Sequence, residues 1–67
     1  MLVNFFQALK DGGVPVTPRE LLDLLAVMNK QLVFGSIDDF YNLSRAVMVK
    51  DEKYYDRFDR AFGLHFR

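Results

Sequence analysis

The sequence contains no cysteine, no tryptophan, one histidine and two prolines among its 67 residues. Without cysteine there is no disulfide framework, no thiolate nucleophile and no cysteine-bearing zinc site, which fits a reducing compartment, and the expected location is the cytoplasm. An excess of one charge is also missing: nine Lys and Arg balance nine Asp and Glu, for a formal net charge of zero. No summed positive field draws the chain to phosphate backbones or anionic lipid, so neither nucleic acid nor a membrane is the expected partner. No stretch approaches the ~20 apolar residues of a membrane span. The opening Met-Leu-Val-Asn-Phe-Phe-Gln has neither the basic region nor the long apolar region of a signal peptide. Internal repeats, low-complexity tracts and linkers are absent as well.

What is present is apolar and aromatic: 51% hydrophobic residues, with seven Phe and three Tyr. That balance lies far from the composition of disordered chains and predicts a core. A domain of this size buries only about 60% of the surface its unfolded chain exposes. Its stability is therefore expected to rest on many aromatic and Leu contacts.

Punctuation divides the chain into four helical pieces. From Leu2 to Lys10, the spacing of Leu2, Phe5, Phe6 and Leu9 stacks four apolar side chains on one helical face. Gly12-Gly13 ends that helix, and Val14-Pro15-Val16-Thr17-Pro18 reads as a rigid extended connector. Thr17 before Pro18, with Glu20 three residues on, predicts an N-cap and a capping box. The second helix, Pro18 to Val33, carries Leu21, Leu22, Leu24, Leu25, Met28 and Leu32 on one broad arc, which marks it as the central helix. After Gly35, Ser36 is the expected cap of a third helix from Ile37 to Val49, with Asp38 and Asp39 at the positive end of its dipole. Its apolar arc of about 160° holds Ile37, Phe40, Tyr41, Leu43, Val47 and Met48, and leaves Arg45 on the polar side. Val27 and Ala46 fall outside the apolar arcs of their helices, as exposed contacts or as residues that a neighbour covers.

From Asp51, a third candidate cap, the run Glu52 to Phe62 sorts into three sectors. Tyr54, Tyr55, Phe58, Ala61 and Phe62 lie within about 120°; Glu52, Asp56 and Asp59 form an acidic sector, and Lys53, Arg57 and Arg60 a basic one. Gly63 suits the residue just past a helix end, with Leu64 folding back on Phe58 in a Schellman motif. No segment shows the alternation of a half-buried strand, so the expected fold is all-α, a small bundle of about four short helices.

Chemistry is sparse. His65 stands between Leu64 and Phe66 with no converging carboxylates, and reads as a structural imidazole rather than a ligand or base. Adjacent Asp38 and Asp39 point about 100° apart on a helix and cannot share a proton. Ser36 and Ser44 lack a paired histidine and a nucleophile-elbow pattern, and Gly12-Gly13 lacks the Lys-Ser/Thr ending of a phosphate loop. No catalytic residue, metal or cofactor is expected, and the chain is not expected to be an enzyme. The short Gly-containing turn between the second and third helices admits an alternative, a small helix-turn-helix-like nucleic-acid-binding domain. Asp38 and Asp39 at the start of its recognition helix would then face phosphates with the wrong sign. On the last helix, opposite charges one turn apart, such as Asp56 and Arg60, read either as a solvated face with pairs worth about 0.2–0.5 kcal/mol or as an interaction surface.

The run Val49-Lys50-Asp51-Glu52-Lys53-Tyr54-Tyr55-Asp56-Arg57-Phe58-Asp59-Arg60-Ala61-Phe62, preceded by Asp38-Asp39-Phe40-Tyr41 and Arg45-Ala46, resembles the beginning of CoxE-like proteins that contain a von Willebrand factor A (VWA) domain. Phe5-Phe6, Gly13-Val14-Pro15-Val16 and Glu20 look like that family's opening, so the resemblance covers essentially the whole chain. In the family this helical segment precedes a variable linker and the A domain, whose metal-dependent adhesion site reads Asp-x-Ser-x-Ser. That motif does not occur here, and no metal ligand carries over. The resemblance implies that residues 1–67 are a single helical module, the N-terminal part of a longer protein without its VWA domain. It also implies a bacterial setting beside MoxR-type AAA+ ATPases, in maturation or metal insertion of enzymes such as carbon monoxide dehydrogenase. The expected role is a non-catalytic protein-interaction module whose partner is the ATPase or a client enzyme. Lys53, Asp56, Arg57, Asp59 and Arg60 are its candidate contacts.

Overall fold

Helix α1 (Leu2–Asp11) closes where its glycine pair predicts. Gly13 takes φ 87°, the only positive φ among the described residues, 2–30 and 36–66 of the computed structural model. The Gly13 amide donates to the Lys10 carbonyl (3.1 Å) and the Val14 amide to the Leu9 carbonyl (2.9 Å). These are the two hydrogen bonds of a Schellman motif, and its apolar partners Leu9 and Val14 are both buried. The connector that follows is extended, burying Val14 and Val16 while Pro15 and Thr17 face out.

Thr17 then opens α2 (Pro18–Lys30) with the expected capping box. The Glu20 carboxylate accepts from the Thr17 amide (2.6 Å) and hydroxyl (2.7 Å), and Thr17 Oγ1 accepts from the Arg19 amide (3.3 Å). Ser36 caps α3 (Ile37–Met48), its hydroxyl accepting from the Asp39 amide at 3.2 Å. Asp51 caps a 3₁₀ turn (Glu52–Tyr54) by accepting from the Lys53 amide at 3.1 Å, and α4 (Tyr55–His65) continues from that turn. The described chain is thus an all-α bundle of four helices.

Three expectations are corrected. Helix α2 is not the central helix: Leu24 is its one buried residue among those described, while Leu22 and Leu25 are 62% and 43% exposed. Its apolar arc is wider than the surface its neighbours cover. Leu32, Val33 and Gly35 lie outside the described residues. The most extensive helix pair is α1 with α4, and the centre of the core is Phe5. Its ring lies 5.9 Å from Phe40, 6.1 Å from Phe58, 5.8 Å from Phe62 and 5.2 Å from Phe66, mostly in the edge-on or tilted geometry that aromatic quadrupoles favour.

The second correction follows from the same ring cluster. Gly63 does not end α4; the helix runs on to His65, and Leu64 is 62% exposed instead of folding back on Phe58. Two more helical residues bring Phe66 to 4.6 Å from Phe62 and 5.5 Å from Phe40, so aromatic packing outweighs the low helix propensity of glycine. Third, Asp56 and Arg60 form no ion pair. Among the described residues the ion pairs are Arg19 with Asp23 (3.5 Å) and Lys53 with Asp51 (4.0 Å).

Ser44 is the one buried polar residue among those described, its hydroxyl donating to the Tyr41 carbonyl at 3.2 Å. Val27 is half-buried and Ala46 exposed. No described helix is long and apolar enough to cross a membrane.

Candidate interaction surface

At 100° per residue, the two charged sectors of the last helix meet different neighbours. The acidic edge turns toward α3. There Asp59 accepts a hydrogen bond from the Tyr41 hydroxyl, which holds the Tyr41 phenol above its ordinary pKa because the bond favours the protonated form. Arg45 completes this bridge, donating to the Tyr41 hydroxyl at 3.2 Å with its guanidinium 4.5 Å over the Tyr55 ring and 5.3 Å over the Tyr41 ring. A residue that the helical wheel puts on the polar side is therefore half-buried between two helices. Arg45 lies at the margin of the apolar arc, where a long side chain can lay its charged plane on aromatic faces.

The basic edge turns toward α1. Arg57 Nη1 donates to the Gly13 carbonyl at 3.1 Å, and its guanidinium lies 5.6 Å over the Tyr54 ring, so it clamps the turn that ends α1. Lys53 packs 5.2 Å over the same ring beside Asp51. Of the five candidate contacts, then, Lys53, Arg57 and Asp59 hold intramolecular partners. Asp56 and Arg60 are exposed and make no hydrogen bond or ion pair among the described residues.

Small residues meet where the end of α1 passes α4. A Cβ placed on Gly12 would lie 3.3 Å from the Ala61 Cβ and 3.2 Å from the Ala8 carbonyl oxygen. Beside this contact is an open groove of about 390 Å³, floored by Ala8, Gly12 and Ala61, with Arg57, Arg60 and Leu64 along its α4 lip. His65 closes one end, its ring 5.6 Å from Phe5 and 4.7 Å from Phe66, a structural placement rather than a converging one. A second depression of about 330 Å³ shares Arg57 and adds Lys10, Tyr54 and the connector Val14–Val16. Sequence reasoning found the charges on α4 but not the groove, which depends on how two distant helices cross.

Among the described residues no group of three or more His, Asp or Glu could hold a metal ion. Asp38 and Asp39 are exposed in the first turn of α3, and the segment that joins it to α2 lies outside the described residues.

A family model, the CoxE N-terminal helical bundle domain, matches residues 2–67, and the chain belongs to that family. No curated protein and no solved structure matches the chain.

Proposed function

We propose that this chain, as a CoxE N-terminal helical bundle domain, is a non-catalytic protein-interaction module. It serves as an adaptor between a MoxR-type AAA+ ATPase and a client enzyme in maturation or metal insertion. One observation carries this reading beyond family context. Helix α4 spends part of its charge on holding the bundle together and presents the rest outward: Arg57 and Asp59 are tied to α1 and α3, whereas Asp56 and Arg60 stand free one turn apart. Unpaired opposite charges, of which Arg60 lines the groove, can set orientation and register for a partner at little desolvation cost to the free domain.

The test uses the two free positions, because changing Arg57 or Asp59 would also disturb the fold. The wild-type domain is expected to bind its cognate ATPase or client in a pull-down and in calorimetry. Asp56→Arg combined with Arg60→Glu is expected to weaken that binding roughly tenfold, about 1.4 kcal/mol, with an unchanged far-ultraviolet circular dichroism spectrum. Absence of binding by the wild type to both ATPase and client removes the module reading. Equal binding by the reversed variant removes α4 as its surface.

A further inference from the structure

We infer that the groove between α1 and α4 receives an acidic amphipathic segment of a partner protein. One apolar side chain of that segment sits on Ala8, Gly12 and Ala61 beside Leu64, and its carboxylates meet Arg60 and Arg57. This rests on the reading of the chain as an interaction module and names the chemistry of what it binds.

The floor is apolar and open because Ala8, Gly12 and Ala61 line it, and larger side chains at these positions would fill it. Its volume falls within the range of about 300–1,000 Å³ typical of binding pockets. On the lip, Leu64 is 62% exposed, a large apolar side chain that the bundle leaves uncovered. Covering such a side chain removes apolar surface from water, which is favourable.

Charge selects the occupant. Arg60 is exposed and has no partner among the described residues, and Arg57 offers the guanidinium N–H groups not used on the Gly13 carbonyl. Among the described residues the one carboxylate lining the groove is Asp11, which lies on the α1 side and accepts from Gln7 Nε2 at 2.9 Å. The adjoining depression continues the basic edge with Lys10. Leu64, Arg60 and Arg57 recur at helical spacing along one edge of α4, rising about 1.5 Å per residue. A partner helix lying along the groove would match them with an apolar residue and two acidic residues at the same intervals. Phosphate backbones would also seek the arginines, but would leave the apolar floor and Leu64 unused, so the combination favours an acidic protein segment over nucleic acid.

The experiment titrates a short helical peptide of Ala and Glu with one central Leu into the isotope-labelled chain, followed by amide chemical shifts. Expected are saturable shifts centred on Ala8, Gly12, Ala61 and Leu64. Affinity should fall at least fivefold with Leu64→Ser, and similarly with Arg60→Glu; both positions are exposed and leave the fold intact. The same peptide with Lys in place of Glu, or Ala in place of Leu, should bind at least fivefold more weakly. Absence of saturable shifts, shifts confined to another face, or equal affinity for the Lys peptide overturns the inference. Tighter, steeply salt-dependent binding of a DNA duplex on the same amides also overturns it, in favour of nucleic acid. A negative peptide titration with a positive ATPase or client pull-down removes the groove alone, whereas a negative pull-down removes the module reading whatever the peptide does.

Discussion

At Gly13 the backbone holds φ 87°, and an added Cβ would come within 3.2 Å of the Arg57 guanidinium. Gly13→Ala therefore meets a left-handed conformation that costs a Cβ-bearing residue about 1–2 kcal/mol, and also presses on the clamp over the α1 turn. Gly63 presents the reverse case. It lies inside α4 with nothing within 4 Å of a built Cβ, so Gly63→Ala removes unfolded-state freedom without a clash. The expected outcome in urea denaturation is a loss of about 1–2 kcal/mol for Gly13→Ala and a gain of roughly 0.5–1 kcal/mol for Gly63→Ala. A loss of similar size at both would mean that α4 ends at Gly63 after all. In sequence the two look alike, each a glycine followed by an apolar residue at a helix end. Phe66 distinguishes them, because its ring contacts with Phe62, Phe5 and Phe40 reward two more helical residues, and no local pattern reports that. Ser44 was equally hidden: it is buried within α3 because its hydroxyl can return to the Tyr41 carbonyl, a bond invisible to hydrophobic periodicity.

At the scale of the element, helix starts were legible and helix burial was less so. The caps at Thr17, Ser36 and Asp51 depend on residues within three positions, so sequence spacing contains nearly all of their geometry. Which half of the apolar arc of α2 would be covered depends on neighbours, and the exposed Leu22 and Leu25 are the result. The α2 cap yields a pH dependence. Hydrogen bonds from the Thr17 hydroxyl, and then from its amide, hold the Glu20 pKa below the ordinary value of 4.5. The folded-state pKa lies below the unfolded one, so this stabilisation is complete above the unfolded value and is lost as pH falls through the folded value. Wild type should accordingly exceed Glu20→Ala in stability at neutral pH by an amount that shrinks toward pH 3, read from urea midpoints at both pH values. A constant difference would place the effect in packing. The α3–α4 bridge has the opposite sign. Tyr41 is raised by its bond to Asp59, so its contribution is present below the unfolded pKa of about 10 and lost as pH rises through the folded value. Tyr41→Phe is expected to cost about 1 kcal/mol at neutral pH, a difference in urea midpoints that should shrink as pH rises through the folded Tyr41 value.

For the molecule as a whole, net neutrality conceals an arrangement. The acidic edge of α4 is used against α3 and the basic edge faces α1, so opposite charges hold opposite sides of one helix while Asp56 and Arg60 remain outward. The three sectors were readable from the wheel, but their neighbours were not, because they are set by helix crossings between residues far apart in sequence. The same separation governs stability. With no cysteine to form a disulfide, the bundle depends on a ring cluster gathered around Phe5 from α1, α3, α4 and Phe66. At roughly 0.05–0.15 kcal/mol per residue, a chain of this length has a total stability of about 3–10 kcal/mol. Truncating a fully buried Phe to Ala removes about 3–5 kcal/mol, a large share of that total. Phe5→Ala should therefore bring the domain to the edge of unfolding at room temperature, with loss of the cooperative thermal transition seen by circular dichroism. Phe5→Leu, which keeps most of the volume but none of the ring contacts, should retain a transition at lower temperature. Val3→Ala controls for α1 itself: it alters the same helix at a position 68% exposed and should leave the midpoint nearly unchanged. A Phe5→Ala midpoint equal to that of Val3→Ala would show that the aromatic cluster is not the keystone of the bundle.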